Sequence, residues 1–336
     1  MCPTLSAWTR RSMCLLLAAV LLAPAPARAQ EKLLPENTEM VFSFNLKTMV
    51  ESPLFAKQIQ PKIKERLDAN TQIMGVMKAM GFDPFKDLTS ITVAVSGFQV
   101  DLAGGPPRPD AETLIIVRGN FDVAKIEASV NSLVAAGGQE RVITSKLGSR
   151  NLYEVKEVGE KSMYACFVDG TTMVAGTAKD EVEKAIARHE GRGPATQKKE
   201  FTTLLAKADT RQAMWGVISL PESIRTLMQG APQGEVFEKV EGMTMFVSIK
   251  EGVIFELNTF ATDAAGVEQI KQMMEQVKQM AGILSLQAQD PESGKMISDI
   301  VSGITIGDSE RDKVVSLRIE IKGSVFEQIM KRMNQN

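Results

Sequence analysis

The stretch Met163–Ala187, MYACFVDGTTMVAGTAKDEVEKAIA, decides the fold. It reads as a strand, a tight turn, a second strand and a helix. Asp169-Gly170 is the turn signal, because glycine supplies the positive φ that a tight hairpin turn needs. In the helix that follows, Val182, Ala185, Ile186 and His189 fall at i, i+3, i+4 and i+7, so one face is apolar. A similar plan closes the chain: Gly303–Gly307, a polar turn at Asp308–Asp312, Val314–Ile321, then a helix from Ser324 to Met333.

Outward from these two units, the pattern gives strands at Met40–Leu46, Thr89–Phe98 and Glu112–Arg118. In the first of them Met40, Phe42, Phe44 and Leu46 fall on one face and Val41, Ser43 and Asn45 on the other, which predicts a half-buried strand. Ser52-Pro53 is an N-cap followed by a first-turn proline, and it opens a helical stretch to Met80. Leu54, Phe55, Ile59, Ile63 and Leu67 form its inner face, Pro61 kinks it and Gly81 stops it. Asp122 caps a further helix with Val123, Ile126, Val130, Leu133 and Val134 inward. Short strands follow at Val142–Lys146, Leu152–Val158, Met163–Val168 and Thr171–Gly176, and successive strands with tight turns imply an antiparallel sheet.

Residues 191–199, within the Gly-, Pro- and charge-rich run EGRGPATQKK, read as a linker. Beyond it lie a short helix at Glu200–Ala208, a strand at Ala213–Leu220, a helix from Pro221 to Met228, and a hairpin at Met243–Ile249 and Val253–Phe260. A long helix, Ala264–Gly282, has Val267, Ile270, Met274, Val277 and Ala281 inward, and Asp290-Pro291 separates it from another near Met296–Val301. The order strand, helix, hairpin, helix, hairpin, helix recurs in both halves, with an extra strand pair between Val142 and Val158 in the first. The expected fold is therefore α+β: two similar lobes, 30–190 and 200–336, each a mainly antiparallel sheet with packed helices, ferredoxin-like in plan; the repeat of pattern raises the hypothesis that the second is a divergent duplicate of the first.

The first 29 residues read as a signal peptide: Arg10 and Arg11, an apolar run at Met13–Leu22 too short to span a bilayer, and the small-x-small site Ala27-Arg28-Ala29. Thr9–Met13 also loosely resembles a twin-arginine export signal. The chain is expected to be exported to the periplasm or beyond, with no transmembrane segment in its mature part. The net charge is −2, and loss of the leader's three arginines takes it to −5. That balance argues against nucleic acid or an anionic membrane as the main partner, since both want a basic surface. Cys2 and Cys14 leave with the leader, so Cys166 is left without a disulfide partner and is expected to be a small core residue.

No motif names a reaction. His189 is the one histidine, so most acid–base schemes would rest on it; it reads as a helix-end residue. Gly294-Lys295 lacks the other elements of a phosphate loop, and Asp308, Glu310 and Asp312 lack the glycine and distant Glu of a calcium loop. No cofactor or metal site is expected, and the chain reads as a non-catalytic binding or structural protein. Two features invite a ligand or partner. Met74, Met77 and Met80 recur at i, i+3 and i+6, and Met274 sits on a second helix. Core filling is the leading reading of these methionines. The alternatives are an apolar groove for a small molecule or protein, or Cu(I) ligation. The loop DLAGGPPRPDA, with Pro106, Pro107 and Arg108, is a surface insertion or a partner-binding loop. An enzyme working through carboxylates alone would need two acids converging in one cleft.

Three stretches carry a resemblance: LLPENTEMVFSFNLKTMVESPLF at 33–55, GFDPFKDLTSITVAVSG at 81–97 and VDGTTMVAGTAKDEVEKAI at 168–186. They resemble a family of secreted bacterial proteins of unknown function, best represented in planctomycete-type bacteria. The resemblance implies a signal peptide and a tandem α+β body, and it supplies no catalytic residues.

Overall fold

The computed structural model describes residues 32–97, 111–135, 142–156, 162–193, 197–220, 224, 226, 234–287 and 290–332; for 72, 73 and 133 it describes the backbone alone. The expected leader, the loop with Pro106, Pro107 and Arg108, and most of the helix expected after Pro221 lie outside them. The protein is α+β, built on one antiparallel sheet. Its strands are β1 (Thr38–Asn45), β2 (Leu88–Ser96), β3 (Glu112–Gly119), β4 (Val142–Leu147), β5 (Arg150–Val155), β6 (Met163–Asp169), β7 (Thr172–Gly176), β8 (Met214–Ser219), β9 (Val240–Ile249), β10 (Val253–Ala261), β11 (Ile304–Ser309) and β12 (Val314–Ile321).

The spatial order is β11-β12-β10-β9-β8-β1-β2-β3-β7-β6-β5-β4, twelve strands in one sheet. A ferredoxin-like plan sets two parallel strands side by side; here every pairing is antiparallel. The two halves meet at β1 and β8, where Phe44 to Met40 pair with Met214 to Ile218. From that seam outward one side runs β1-β2-β3-β7-β6 and the other β8-β9-β10-β12-β11. The hairpin β4–β5 extends the first side, at the place where the extra strand pair is expected.

The organising hairpin is β6–β7, but its turn is closed differently from the expectation. Gly170 does not have positive φ. Instead the Asp169 carboxylate accepts from the Thr171 amide and hydroxyl, both at 2.7 Å, so a side chain holds the turn.

Register sorts the sheet's side chains onto two faces. On one lie Val41, Ala94, Leu114, Ile116, Val174, Cys166, Trp215 and Val217, all within one buried cluster. Helices α7 (Lys179–His189) and α8 (Lys199–Leu205) cover that face through Val182, Ala185, Ile186, Phe201, Leu204 and Leu205. One core therefore spans the boundary between the halves. In strand β1 it is Val41 and Ser43 that are fully buried, whereas Met40, Phe42 and Phe44 on the other face are only partly so. Ser43 tolerates this because its hydroxyl shares a 2.8 Å hydrogen bond with Thr92.

The opposite face carries helices toward its two sides. Val123, Ile126 and Val130 of α6 (Val123–Ala135) pack with Ile91, Ile115, Phe167 and Met173. Val267, Ile270 and Met274 of α10 (Ala264–Leu286) pack with Leu257, Ile306, Leu317 and Val315. Helix α11 (Pro291–Ser302), capped by Asp290, lies against α10.

At the expected linker, Gln197 is buried, whereas Gly191, Arg192, Lys198 and Lys199 are exposed. Arg188 on α7 is buried; its guanidinium donates to the Leu33 carbonyl at 3.1 Å and lies 3.7 Å from the Glu181 carboxylate. Gln197 donates to the Leu34 carbonyl at 3.0 Å. These contacts seat Leu33 and Leu34, each 1% exposed, in the main core. Glu181 is also held by Lys184 at 2.7 Å, so loss of Arg188 leaves that carboxylate paired and strips the buried Leu33 carbonyl of its donor, at a cost of about 1–3 kcal/mol. Arg188→Ala is therefore expected to destabilise the protein by about that amount in urea denaturation. An Arg188→Ala variant as stable as the parent would contradict this role.

Candidate apolar-ligand cleft

After β1 the chain forms helices α1 (Leu46–Val50), α2 (Pro53–Gln58), α3 (Gln60–Ala69), α4 (Thr71–Met80) and α5 (Pro84–Asp87). The single kinked helix expected here is broken instead. Pro61 sits in the first turn of α3, where its missing amide costs nothing, and Ile59 precedes it as an uncapped break. Asn70 ends α3 with ψ 87°, so α4 leaves in a new direction. Leu54 and Phe55 of α2, whose cap is Ser52, are buried as expected; beyond the break Ile63 is 38% exposed. Gly81, at φ +64°, then ends α4: its amide bonds back to Lys78 and the Phe82 amide to Met77, the paired bonds of a left-handed helix stop. Asp83 caps α5 by accepting from the Phe85 amide at 3.0 Å.

These breaks fold α3, α4 and the Phe82–Lys86 segment around a cleft of about 550 Å³. Val50, Leu67, Met74, Met77, Phe82 and Phe85 supply its apolar lining. Its charged lining is two lysines, Lys64 and Lys86, and two aspartates, Asp68 and Asp83. Lys86 lies 3.1 Å from Asp83. The charges cancel, so the cleft selects by shape and apolarity. Its volume lies within the roughly 300–1,000 Å³ of small-molecule sites.

Of the four methionines singled out in the sequence, only Met74 and Met77 line this cleft. Met80 packs against the cluster of Val117, Phe121 and Ile126. Met274 is 7% exposed inside the α10 core, on the other half of the sheet. The three thioethers of α4 therefore do not share one cleft. Phe82 and Phe85 were not singled out. Their signal is the Gly81 stop followed by the Asp83-Pro84 cap, which returns the chain across the helix it has just left.

Other chemistry-bearing groups fall elsewhere. The Nε2 atom of His189 lies 3.3 Å from Asp169 at the β6–β7 turn. Burial alone would raise the Asp169 pKa, but the hydroxyl and amide of Thr171 and the nearby His189 outweigh it and hold the carboxyl below its usual range. Glu51, Asp209, Glu251 and Glu320 line a separate cleft of about 980 Å³ at one end of the sheet. There Arg211, 2.9 Å from Asp209, holds that carboxyl ionised, opposite to what a proton donor needs. Among the described residues no group of three or more His, Cys, Asp or Glu is placed to hold a metal ion, and no helix is long and apolar enough to cross a membrane.

No protein-family model, curated protein or solved structure matches the chain.

Cys166 is fully buried, as expected, and burial pushes its thiol up to about 11. A thiol reagent at about pH 8 is expected to leave folded protein unmodified and to label Cys166 at a rate set by unfolding. Rapid stoichiometric labelling in native buffer would show the thiol to be accessible.

Proposed function

We propose that this chain is an exported, non-catalytic binding protein that holds an uncharged apolar small molecule between α3, α4 and the Phe82–Lys86 segment. The observation that carries this reading is the 550 Å³ cleft with Met74 and Met77 on one wall and Phe82 and Phe85 among its other lining residues. A thioether has no fixed shape preference and contacts ring edges favourably, so such a wall adapts to ligands of varied outline. Apolar contact supplies affinity there and four mutually cancelling charges at the lining add little selectivity. The leader-like first 29 residues support export, and the shared outward strand order of the two halves supports an ancient duplication.

A neutral fluorescent probe, N-phenyl-1-naphthylamine, is expected to bind the chain saturably at one site. Met77→Asp places a charge in the apolar wall and is expected to weaken binding at least tenfold, as is the separate variant Phe85→Asp, with little change in thermal midpoint. Non-saturable binding, or binding unchanged in both variants, would overturn the assignment.

A further inference from the structure

Helix α10 is used in two different ways along its length. Its first half places Val267, Ile270 and Met274 in a core. The same stripe predicts Val277 inward, yet Val277 is 61% exposed, as are Met280 (63%), Ile283 (54%), Leu284 (58%) and Leu286 (87%). A 23-residue helix is about 35 Å long, and its buried stripe ends at Met274, before the helix does. Helix α11 lies alongside but buries none of its own residues. Gly282 confirms how open this end is: nothing stands within 4 Å of where a Cβ would be.

We infer that the distal part of α10, Val277–Leu286, docks on a lipid surface. Five side chains at these exposures present a few hundred Å² of apolar surface, the size of a functional patch on a single chain. A second copy is the poorer occupant, because a stable dimer buries about 800 Å² on each partner. A specific protein partner would use aromatic or arginine anchors, and residues 277–287 hold neither. Binding at the headgroup and acyl boundary scales with the apolar area buried there, roughly 5–10 Å deep. QMAGILSLQ, residues 279–287, carries no charge.

Charge settles which lipids the surface takes. Lys278 is offset by Glu275 one turn earlier on the same helix. Lys271 is tied to Asp308 at 2.8 Å, and Arg332 of α12 (Gly323–Arg332) is held by Asp290. Lys295 on α11 has Glu292 and Asp299 one turn to either side, so each nearby cation has an acid beside it, and association rests on apolar insertion and is indifferent to headgroup charge. This inference stands apart from the α3–α4 cleft, which shares no residue with it.

The test uses the chain from Gln30 onward, which keeps every described residue, with vesicles of pure phosphatidylcholine. Leu286→Trp is the reporter; among residues 30–336 the other tryptophan is Trp215, 5% exposed and a silent background. A blue shift on adding vesicles is expected, undiminished at about 1 M salt, where charges are screened beyond roughly 3 Å. Ile283→Asp with Leu284→Asp is expected to lower partitioning in co-sedimentation at least tenfold while leaving the thermal midpoint unchanged. No partitioning by the unsubstituted chain, partitioning lost in salt, or equal partitioning by the double variant would each overturn the inference. So would a dimer in solution that the same double variant dissociates, which would assign the patch to a second copy.

Discussion

The pairing of β1 with β8 is the contact on which the rest of the structure depends. It is the only place where the described sheet passes from one half of the chain to the other, through five paired positions from Met40–Ile218 to Phe44–Met214. Its two faces are finished differently. On the α7–α8 face Val41 meets Val217 and Ser43 meets Trp215, inside a core that both halves fill. On the other, Phe42 lies opposite Gly216. A Cβ there would come within 2.8 Å of the Phe42 ring and 3.1 Å of Met245, so glycine lets the ring lie across the seam. Ser52 adds a second tie, donating from α2 to the Lys250 carbonyl in the β9–β10 turn at 3.2 Å.

The candidate cleft follows from how the chain spends the residues between β1 and β2. A continuous helix of that length would overshoot the sheet. Proline at α3's first turn, Asn70 at its end and glycine after α4 divide it into pieces short enough to turn around one another. The cleft is the space those turns leave. Its lining needs no buried charge, so the site coexists with a stable fold. The distal part of α10 is the contrasting case: an uninterrupted helix that does outrun its support and so presents apolar residues to whatever lies outside.

Much of this was legible in the residues. All twelve strands lie where alternation and turn signals put them, because a strand's period of two survives in sequence wherever one face is apolar. Caps were legible too, since Ser52, Asp83, Asp122 and Asp290 each bond locally to amides two or three residues on. What was not legible is which of two apolar faces a helix covers. Phe42 outranks Val41 in hydrophobicity, yet α7 and α8, distant in sequence, bury the Val41 face and rely on the Ser43–Thr92 bond to do so. The long helix stripe could not reveal where its supporting sheet ends, so Val277 looked like Val267. Gly170 looked like a positive-φ turn because the Asp169 side chain's grip on Thr171 leaves no pattern of its own. Half of the candidate site, Met74 and Met77, came from spacing; Phe82 and Phe85 depend on the chain's return at Gly81, a three-dimensional consequence of two local signals.

The two halves then form one cooperative body held at the β1–β8 seam. Native-state hydrogen exchange of the β1 and β8 amides, read against urea unfolding followed by Trp215 fluorescence, tests it most directly. If the seam is the centre of one structure, amides of Val41, Ser43, Trp215 and Val217 exchange only through global unfolding, with the same free energy as β2 and β9 and with one coincident transition. Two separate transitions, or seam amides that open at much lower free energy than their neighbouring strands, would show two bodies that merely touch.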